Sequence, residues 1–524
     1  MKKLISMLLI AAMTAALMAG CGDSGSKDPG NGDTGSSGGS GQQNAEGGQA
    51  SGDSREAPYE IVVEMIGSGV AQPDTAKVEE EINKITLPAI NCTVKFREIT
   101  IADHATQISL LGTDGDRMDI IFVGYTTSMN DLVSNGLLVG LGDLLEQNAP
   151  EMLEKAGVLM DACRIGDDYY CVPGNYYPAL QDAIAYLPDI INQYNIEIPE
   201  NPEASYEYAD KFYGNIKASS FDGYATTYGD GIYANILGKR MEKFGANMMA
   251  DGVYGVLMDM SKDTQIVNIF ETEEYLKECL KHKEWKDNGI IVPDSLTNGE
   301  TMVGALMAKK VCGSVTAVNA TYLQNMKKIT GSEMEGLMIS DTYLSGASIP
   351  EYGLGVTVTS ERPEKAVQLL NMIMTNAELA NLMNYGIEGT HYEKVSEHII
   401  KYPDGVDFTN IGYGNQIVSF GDSSQIYQRE PFTEEWYETL DNFSAENADL
   451  SQAFGYVFDS SSVRTQVAAV TSVIQEYNPA LICGMNDNVE ERVQEFIAAL
   501  KTAGIDEIIA ENQRQFDEWR AAQN

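Results

Sequence analysis

Residues 59–69 read YEIVVEMIGSG, an apolar, β-branched run that stops at two glycines and predicts a buried strand. A helix is predicted to begin near Pro73. Its apolar residues Val78, Ile82 and Ile85 recur at spacings of three and four, which places them on one face. The first 30 residues of this region therefore predict a strand followed by a helix that packs on it.

Two more strands are predicted at 91–99 (NCTVKFREI) and 118–123 (MDIIFV). Asp103 is the candidate N-cap of a helix between them. The order β-α-β-α-β predicts an α/β fold with a parallel, doubly wound sheet. Ligands of such sheets bind beyond the carboxyl ends of the strands. This geometry selects Gly67–Gly69 after the first strand and residues 124–127 (GYTT) after the third.

The later part of the chain has a less regular pattern. Strands are predicted at 168–173, 181–187, 310–318 and 353–360, and helices at Pro363 and after a capping box at Thr375-x-x-Glu378. The C-terminal third is mostly helical, with an apolar stripe at Val489, Val493, Phe496, Ile497 and Leu500 that continues at Ile505, Ile508 and Ile509. This order predicts lobes that are completed by discontinuous segments.

Composition narrows the possible functions. The 524 residues carry 77 Asp and Glu against 35 Lys and Arg, a formal net charge of −42. Nucleic acid is excluded as a partner, because phosphate binding needs clustered cations. A chain of this length is expected to form two or more lobes. The chain has only four histidines and no C-x-x-C spacing, so we expect neither a metal site nor a cofactor. Cys163 and Cys171 flank a predicted turn, and either pair outside the cell or remain buried thiols.

The N-terminus predicts export. Residues 1–20 have two lysines, an apolar run and a small-residue end, which is typical of a signal peptide. Cys21 follows Ala-Gly, which resembles a bacterial lipobox and predicts a lipidated cysteine. The alternative is plain secretion with a free Cys21 thiol. Residues 22–57 are almost all Gly, Ser, Asp, Asn and Gln, and together with Cys21 predict a disordered tether (21–57).

Several segments resemble the extracellular solute-binding proteins of bacterial ABC importers, in the large oligosaccharide-type lipoprotein branch of family 1. These segments are DIIFVGYTTSMNDLVSNGLLVGLGDLL (119–145), NYGIEGTHYEKV (384–395), KYPDGVD (401–407), FDSSSVRTQVAAV (458–470) and YNPAL (477–481). The resemblance implies a two-lobed periplasmic-binding-protein-like fold of type II, with three hinge crossings and a ligand cleft between the lobes. It implies a first lobe at 58–175 and 315–360, and a second at 176–314 and 361–524.

A sugar-binding cleft needs aromatic faces for stacking and planar polar groups for hydrogen bonds. Tyr125 is the first candidate, because it follows a strand that ends at the cleft. Asn175, Tyr176 and Tyr177 lie beside the first predicted crossing. Tyr228 is a candidate in a second-lobe loop, with packing within that loop as the alternative.

A second group of candidates lies towards the C-terminus. Tyr385, Glu388 and His391 belong to a Gly-containing loop that resembles a family segment near the cleft. Glu388 accepts sugar hydroxyls in one interpretation and caps local backbone amides in the other. Arg464 either reaches the cleft or pairs with nearby acids.

The resemblance implies a monomeric, lipid-anchored protein on the extracellular face of the cytoplasmic membrane, which touches the membrane only through its lipid. It implies that the protein captures a carbohydrate, passes it to ABC transporter permease subunits and catalyses no reaction. The alternatives are a binding protein for a peptide or another non-sugar solute, and a surface-tethered glycoside hydrolase that uses two carboxylates.

Overall fold

The computed structural model describes residues 56–111, 116–227, 240–244, 252–294, 296–297, 299–346, 349, 352–414 and 418–523. The predicted signal peptide, Cys21 and nearly all of the tether lie outside these described residues. Residues 57–524 form one unit by their contacts.

The described residues form short strands and longer helices. The strands are β1 (Tyr59–Gly67), β2 (Cys92–Thr100), β3 (Ile120–Val123), β4 (Arg164–Ile165), β5 (Asp168–Tyr169), β6 (Gln181–Tyr186), β7 (Glu242–Lys243), β8 (Val256–Leu257), β9 (Gly313–Val318), β10 (Glu335–Met338), β11 (Tyr343–Leu344), β12 (Gly353–Val356), β13 (Glu393–Lys394), β14 (Ile399–Lys401), β15 (Gln428–Arg429) and β16 (Asp449–Leu450). The α-helices are α1 (Thr75–Ile90), α2 (His104–Ser109), α3 (Met129–Ser134), α4 (Gly142–Asn148), α5 (Pro150–Ala156), α6 (Pro188–Tyr194), α7 (Tyr206–Ala218), α8 (Glu273–Asp287), α9 (Met302–Met307), α10 (Tyr322–Thr330), α11 (Pro363–Thr375), α12 (Ala377–Tyr385), α13 (Glu434–Thr439), α14 (Arg464–Ile482), α15 (Val489–Ala503) and α16 (Ile505–Ala522).

The first sheet has the order β12–β3–β1–β2. β1 pairs in parallel with β2 and β3, and β12 runs antiparallel to β3. The predicted β-α-β-α-β start is therefore confirmed. Cys92, Val94 and Phe96 alternate into the core as predicted, each at most 7% exposed. Burial of one such side chain contributes about 1.5–3 kcal/mol.

The N-caps of two helices differ from those predicted. The side chain of Asp103 precedes α2 but makes no capping hydrogen bond. The predicted capping box at Thr375 is wrong by one residue, because Asn376 Oδ1 accepts from Leu379 N at 3.0 Å and caps α12. Thr375 instead ends α11, where its hydroxyl donates to the Asn371 carbonyl at 2.7 Å.

The second sheet has the order β10–β6–β9 and is antiparallel throughout. The lobe boundaries implied by the resemblance place a crossing near residue 315, within β9. β9 pairs with β6 along its whole length, and Val315 is buried in the core around Trp285. An apolar run predicts a buried strand but does not identify its partner.

The C-terminal helices α14, α15 and α16 pack on the segment around Phe244 and Phe270. The predicted apolar stripe on α15 is confirmed, with the Phe496 ring 4.8 Å from the Phe270 ring. On α16, Phe516 lies 6.0 Å from Phe244. The Tyr456 hydroxyl donates to Asn512 Oδ1 at 2.8 Å.

Three segments run side by side, and the first two of them connect the two sheets. The first (172–180) and the second (343–354) pair antiparallel through Val172 with Leu354 and Leu180 with Tyr343. The third (443–451) adds β16 beside β11 and accepts the Ala179 N–H at the Phe443 carbonyl, at 3.1 Å. At Gly174 the first two segments approach so closely that a Cβ would lie 2.0 Å from the Tyr352 carbonyl oxygen.

Candidate functional site

The carboxyl ends of β1, β2 and β3 meet at one edge of the first sheet, together with the first residue of the antiparallel β12. We call this edge the rim; it includes Ser68, Tyr125 and Tyr352. Gly67 leaves room there for Glu98, since a Cβ on Gly67 would lie 2.0 Å from Glu98 Oε1. The rim is where an open α/β sheet binds ligands.

Two tyrosines stand together on the rim. The Tyr125 ring is partly exposed and lies 5.8 Å from the Tyr352 ring, whose residue is 41% exposed. The rings of Tyr125 and His104 pack edge to face, with their centroids 5.3 Å apart. The predicted position of Tyr125 at the end of β3 is therefore observed, and Tyr352 adds a second aromatic surface.

A buried histidine fixes the loop that carries Tyr125. His104 is 1% exposed, and its Nδ1 hydrogen-bonds Thr126 Oγ1 at 2.5 Å. Its Nε2 lies 2.9 Å from Glu64 Oε1, although the pair is not aligned as a hydrogen bond. The other oxygen of Glu64 accepts the Phe122 N–H at 2.7 Å. The chain from Phe122 to Thr126 is thus held on both sides by one buried pair.

The candidates at the first crossing differ in exposure. Asn175 is exposed, and its Oδ1 accepts the Tyr177 N–H at 2.9 Å and the Ser423 hydroxyl at 3.1 Å. Tyr176 is only 6% exposed, packs in the first core, and lies with its ring 5.5 Å from Lys155 Nζ. Tyr177 is half-buried. Asn175 and part of Tyr177 are the groups that a ligand reaches in this conformation.

The loop after α12 is held from within. His391 is 1% exposed, with Nδ1 accepting the Ile387 N–H at 2.9 Å and Nε2 3.3 Å from Asp74 Oδ2. Burial lowers the pKa of His391. The Tyr385 hydroxyl donates to the Tyr427 carbonyl, and burial raises the pKa of Tyr385 to about 12. His391 and Tyr385 therefore support the loop more than they face solvent.

Glu388 projects from the same loop into the solvent. Its carboxylate is exposed and lies 3.9 Å from Lys394 Nζ. It borders a cavity of about 690 Å³ that Tyr392 and Tyr427 also line. Tyr125 does not line this cavity, so the structure does not bring Glu388 and Tyr125 to one pocket.

A larger cavity of about 850 Å³ lies beside the three crossings, and we call it the crossing cavity. It is bounded by the starting end of β6, the final residues of β9 and β10, and the segment 433–449. Its polar and aromatic lining includes Gln181, Asn319, Gln324, Asn442, Asn447, Asp341, Glu435, Asp449, Trp436 and Phe443. No lysine or arginine of the described chain lines it.

The crossing cavity has the groups that carbohydrate recognition uses. Trp436 N–H donates to the Ala320 carbonyl at 2.6 Å, which fixes the indole against the segment after β9. Gln324 Oε1 is buried without a hydrogen-bond partner in the described residues. Amides and carboxylates that are held by backbone contacts provide fixed acceptors and donors for hydroxyl groups.

The remaining candidates do not join these sites. Arg464 is the exposed first residue of α14. Tyr228 and Cys21 lie outside the described residues. Within the described ranges, no cluster of three His, Cys, Asp or Glu side chains is arranged to hold a metal ion, and no helix has the length and apolar character to span a membrane.

Three residues of this site were missed by sequence reasoning. Tyr352 precedes a predicted strand, but only the antiparallel pairing of β12 places it on the rim. His104 directly follows the predicted cap Asp103, and no pattern indicates its contact with Glu64. Trp436 lies in an acidic segment without regular periodicity, so only its rarity, as one of three tryptophans, marks it.

The chain is similar to known transport proteins over most of its length. A curated "Carbohydrate ABC transporter substrate-binding protein" of Streptococcus pneumoniae serotype 4 is 22% identical over 467 residues, which are 87% of this chain and 91% of the relative. Residues 452–521 match the model of a family described as a domain of unknown function (DUF3502).

Solved structures agree with this similarity. The N-glycan transport solute binding protein of S. pneumoniae has a TM-score of 0.74 at 20% identity, covering 89% of this chain and 100% of that one. Its complex with Man1GlcNAc has a TM-score of 0.63 at 20% identity, covering 88% and 99%. The expected two-lobed α/β fold is therefore confirmed, as is the resemblance to solute-binding proteins of ABC importers.

Proposed function

We propose that this protein captures an oligosaccharide between its two lobes and delivers it to the permease of an ABC importer. The three paired crossings carry this proposal, because they are the hinge that a clamp of two lobes requires. The names of the similar proteins support the ligand class. The rim tyrosines and the amide-rich crossing cavity supply the chemistry on either side of the hinge.

We also propose revised lobe boundaries. Residues 363–420 pack in the first core, as Leu370 and Phe420 show, whereas Val315 and Ile339 pack in the second. The first lobe then comprises about 58–175 and 352–442, and the second about 181–340 and 452–523. In this division the crossings are the only covalent connections between the lobes among the described residues.

The proposed location is the extracellular face of the cytoplasmic membrane. Its support is the signal-peptide pattern of residues 1–20 and the lipobox-like Cys21, which the tether connects to residue 58. Two or more acyl chains anchor a protein stably where one is marginal. Mass spectrometry of the mature N-terminal peptide tests this, since a thioether-linked diacylglycerol on Cys21 adds a defined mass.

Binding and closure are tested together. Isothermal titration with oligomannose, other neutral oligosaccharides and short peptides is expected to give saturable binding of a sugar only. Small-angle scattering is then expected to show a smaller radius of gyration at saturation, because the ligand selects the closed arrangement of the lobes. Saturable binding of a peptide alone would instead support the non-sugar alternative.

We propose that the protein catalyses no reaction on its ligand. The glycoside hydrolase alternative needs two carboxylates about 5–10 Å apart across a cleft. Prolonged incubation with the bound sugar, followed by chromatography, is expected to return it uncleaved. Light scattering of the purified chain is expected to report the monomer.

A further inference from the structure

Two cysteines meet at the base of the first crossing. The hairpin β4–β5 turns the chain back, so that the Tyr170 N–H donates to the Cys163 carbonyl at 3.0 Å. Cys171 is the next residue. Both residues are 0% exposed, and the Cys171 thiol lies close enough to Cys163 to raise its pKa.

The surroundings of this pair are apolar and close-packed. Cys171 Sγ lies 3.6 Å from Met129 Sδ, and both cysteines belong to the first core. Burial and the neighbouring thiol raise the pKa of Cys163, which keeps it protonated. Two buried thiols that a hairpin brings to the same place are protected from exchange once the protein is folded, so their redox state is set during folding.

We propose that Cys163 and Cys171 form a disulfide when the chain folds outside the cytoplasm. The two S–H bonds break and one S–S bond forms. The two protons and two electrons pass to a disulfide-bearing oxidant, which is reduced to two thiols. This proposal rests on the export of the proposed function, because such bonds persist in oxidising compartments.

The bond joins two parts of the molecule that meet at the hinge. Cys163 ends the 3₁₀ helix Gly157–Cys163, and Cys171 precedes Val172, the first paired residue of the first crossing. The same 3₁₀ helix touches the segment after the third crossing, where a Cβ on Gly455 would lie 2.9 Å from the Asp161 carbonyl oxygen. The disulfide therefore fixes the start of the first crossing relative to a contact of the third.

The test counts thiols in the full-length protein recovered from the surface of producing cells. The protein is denatured with an alkylating agent, with or without prior reduction, and weighed intact. With Cys21 lipidated, four alkylated cysteines are expected without reduction and six after it. Trypsin cuts after Arg164, between the two cysteines, so the disulfide is expected as two peptides joined through Cys163 and Cys171.

Six alkylated cysteines without reduction would overturn the proposal, as would a disulfide between any other two positions. Six thiols in protein recovered from the cell surface would overturn the disulfide proposal but not the proposed export. Protein found only in the cytoplasm would contradict the export itself. The matched control is Cys279→Ser on α8, which is expected to leave the bond in place with three other cysteines alkylated. Cys163→Ser is expected to leave five cysteines alkylated without reduction.

Discussion

Replacing Glu242 by glutamine is expected to make the free energy of unfolding less dependent on pH between pH 5 and pH 8. Glu242 is 3% exposed on β7 of the second lobe. Its Oε1 accepts the Ser345 hydroxyl of the second crossing at 2.7 Å, and Ser451 of the third lies close enough to lower its pKa. One buried carboxyl group thus bonds to one crossing and lies beside another.

The size of the effect follows from the pKa. Burial raises the pKa of Glu242 from 4.5 to about 7, so the folded state holds a proton that the unfolded state releases. At about 1.36 kcal/mol per unit, the shift is worth about 3 kcal/mol. This stability is fully present below pH 4.5 and is lost as the pH rises through 7. Between pH 5 and pH 8 the loss is about 2–3 kcal/mol.

Urea denaturation at pH 5, 6, 7 and 8 measures this. Glu242→Gln keeps a neutral side chain at every pH, so its free energy of unfolding is expected to match wild type at pH 5 and to exceed it by about 2–3 kcal/mol at pH 8. Burial raises the pKa of Asp182 to about 6, so the free energy of unfolding of both proteins also decreases with pH by a smaller amount from this group. The exposed Glu80→Gln is the control. A constant difference between variant and wild type from pH 5 to pH 8 would refute the reasoning.

Three further outcomes are expected. Tyr125→Ala weakens sugar binding by about 5- to 30-fold in isothermal titration, from a loss of about 1–2 kcal/mol of aromatic contact, while Tyr125→Phe keeps most of the affinity. Neutral oligosaccharides bind more tightly than oligouronates in the same assay, because Asp341 and Glu435 line the crossing cavity, whose third acid, Asp449, is already paired with Arg240 at 2.5 Å; Asp341→Asn narrows that difference, and tighter uronate binding would contradict it. Cys21→Ser moves the protein from the membrane fraction to the medium, and retention in washed membranes would count against the lipid anchor.

The sequence predicted the first sheet well because its strands have clear patterns. Cys92, Val94 and Phe96 alternate because one face of β2 is buried, and 120–123 is a continuous apolar run because β3 is buried on both faces. The short crossing strands β11 and β16 have two residues each, which is below the length at which periodicity is visible. The third crossing was therefore not located.

The site was predicted only in part, because exposure depends on contacts between distant segments. Tyr125 lies on the rim since its position follows from the strand before it. Tyr176 is predicted from its position beside a crossing and His391 from the resemblance of its loop, and the fold buries both. Glu388 borders a different cavity from the one that Trp436 lines, because the loop of residues 386–392 packs on α1 and α12.

The contact between Phe244 and Phe516 has a consequence for biogenesis. Roughly 270 residues separate these two rings, so the outer layer of the second lobe stays incomplete until the late helices have emerged. A chain that enters a secretion channel N-terminus first therefore cannot complete the fold of this lobe until nearly all of it has been translocated. For the proposed export, the discontinuous order of the segments would therefore delay completion of the second lobe until the polypeptide has crossed the bilayer.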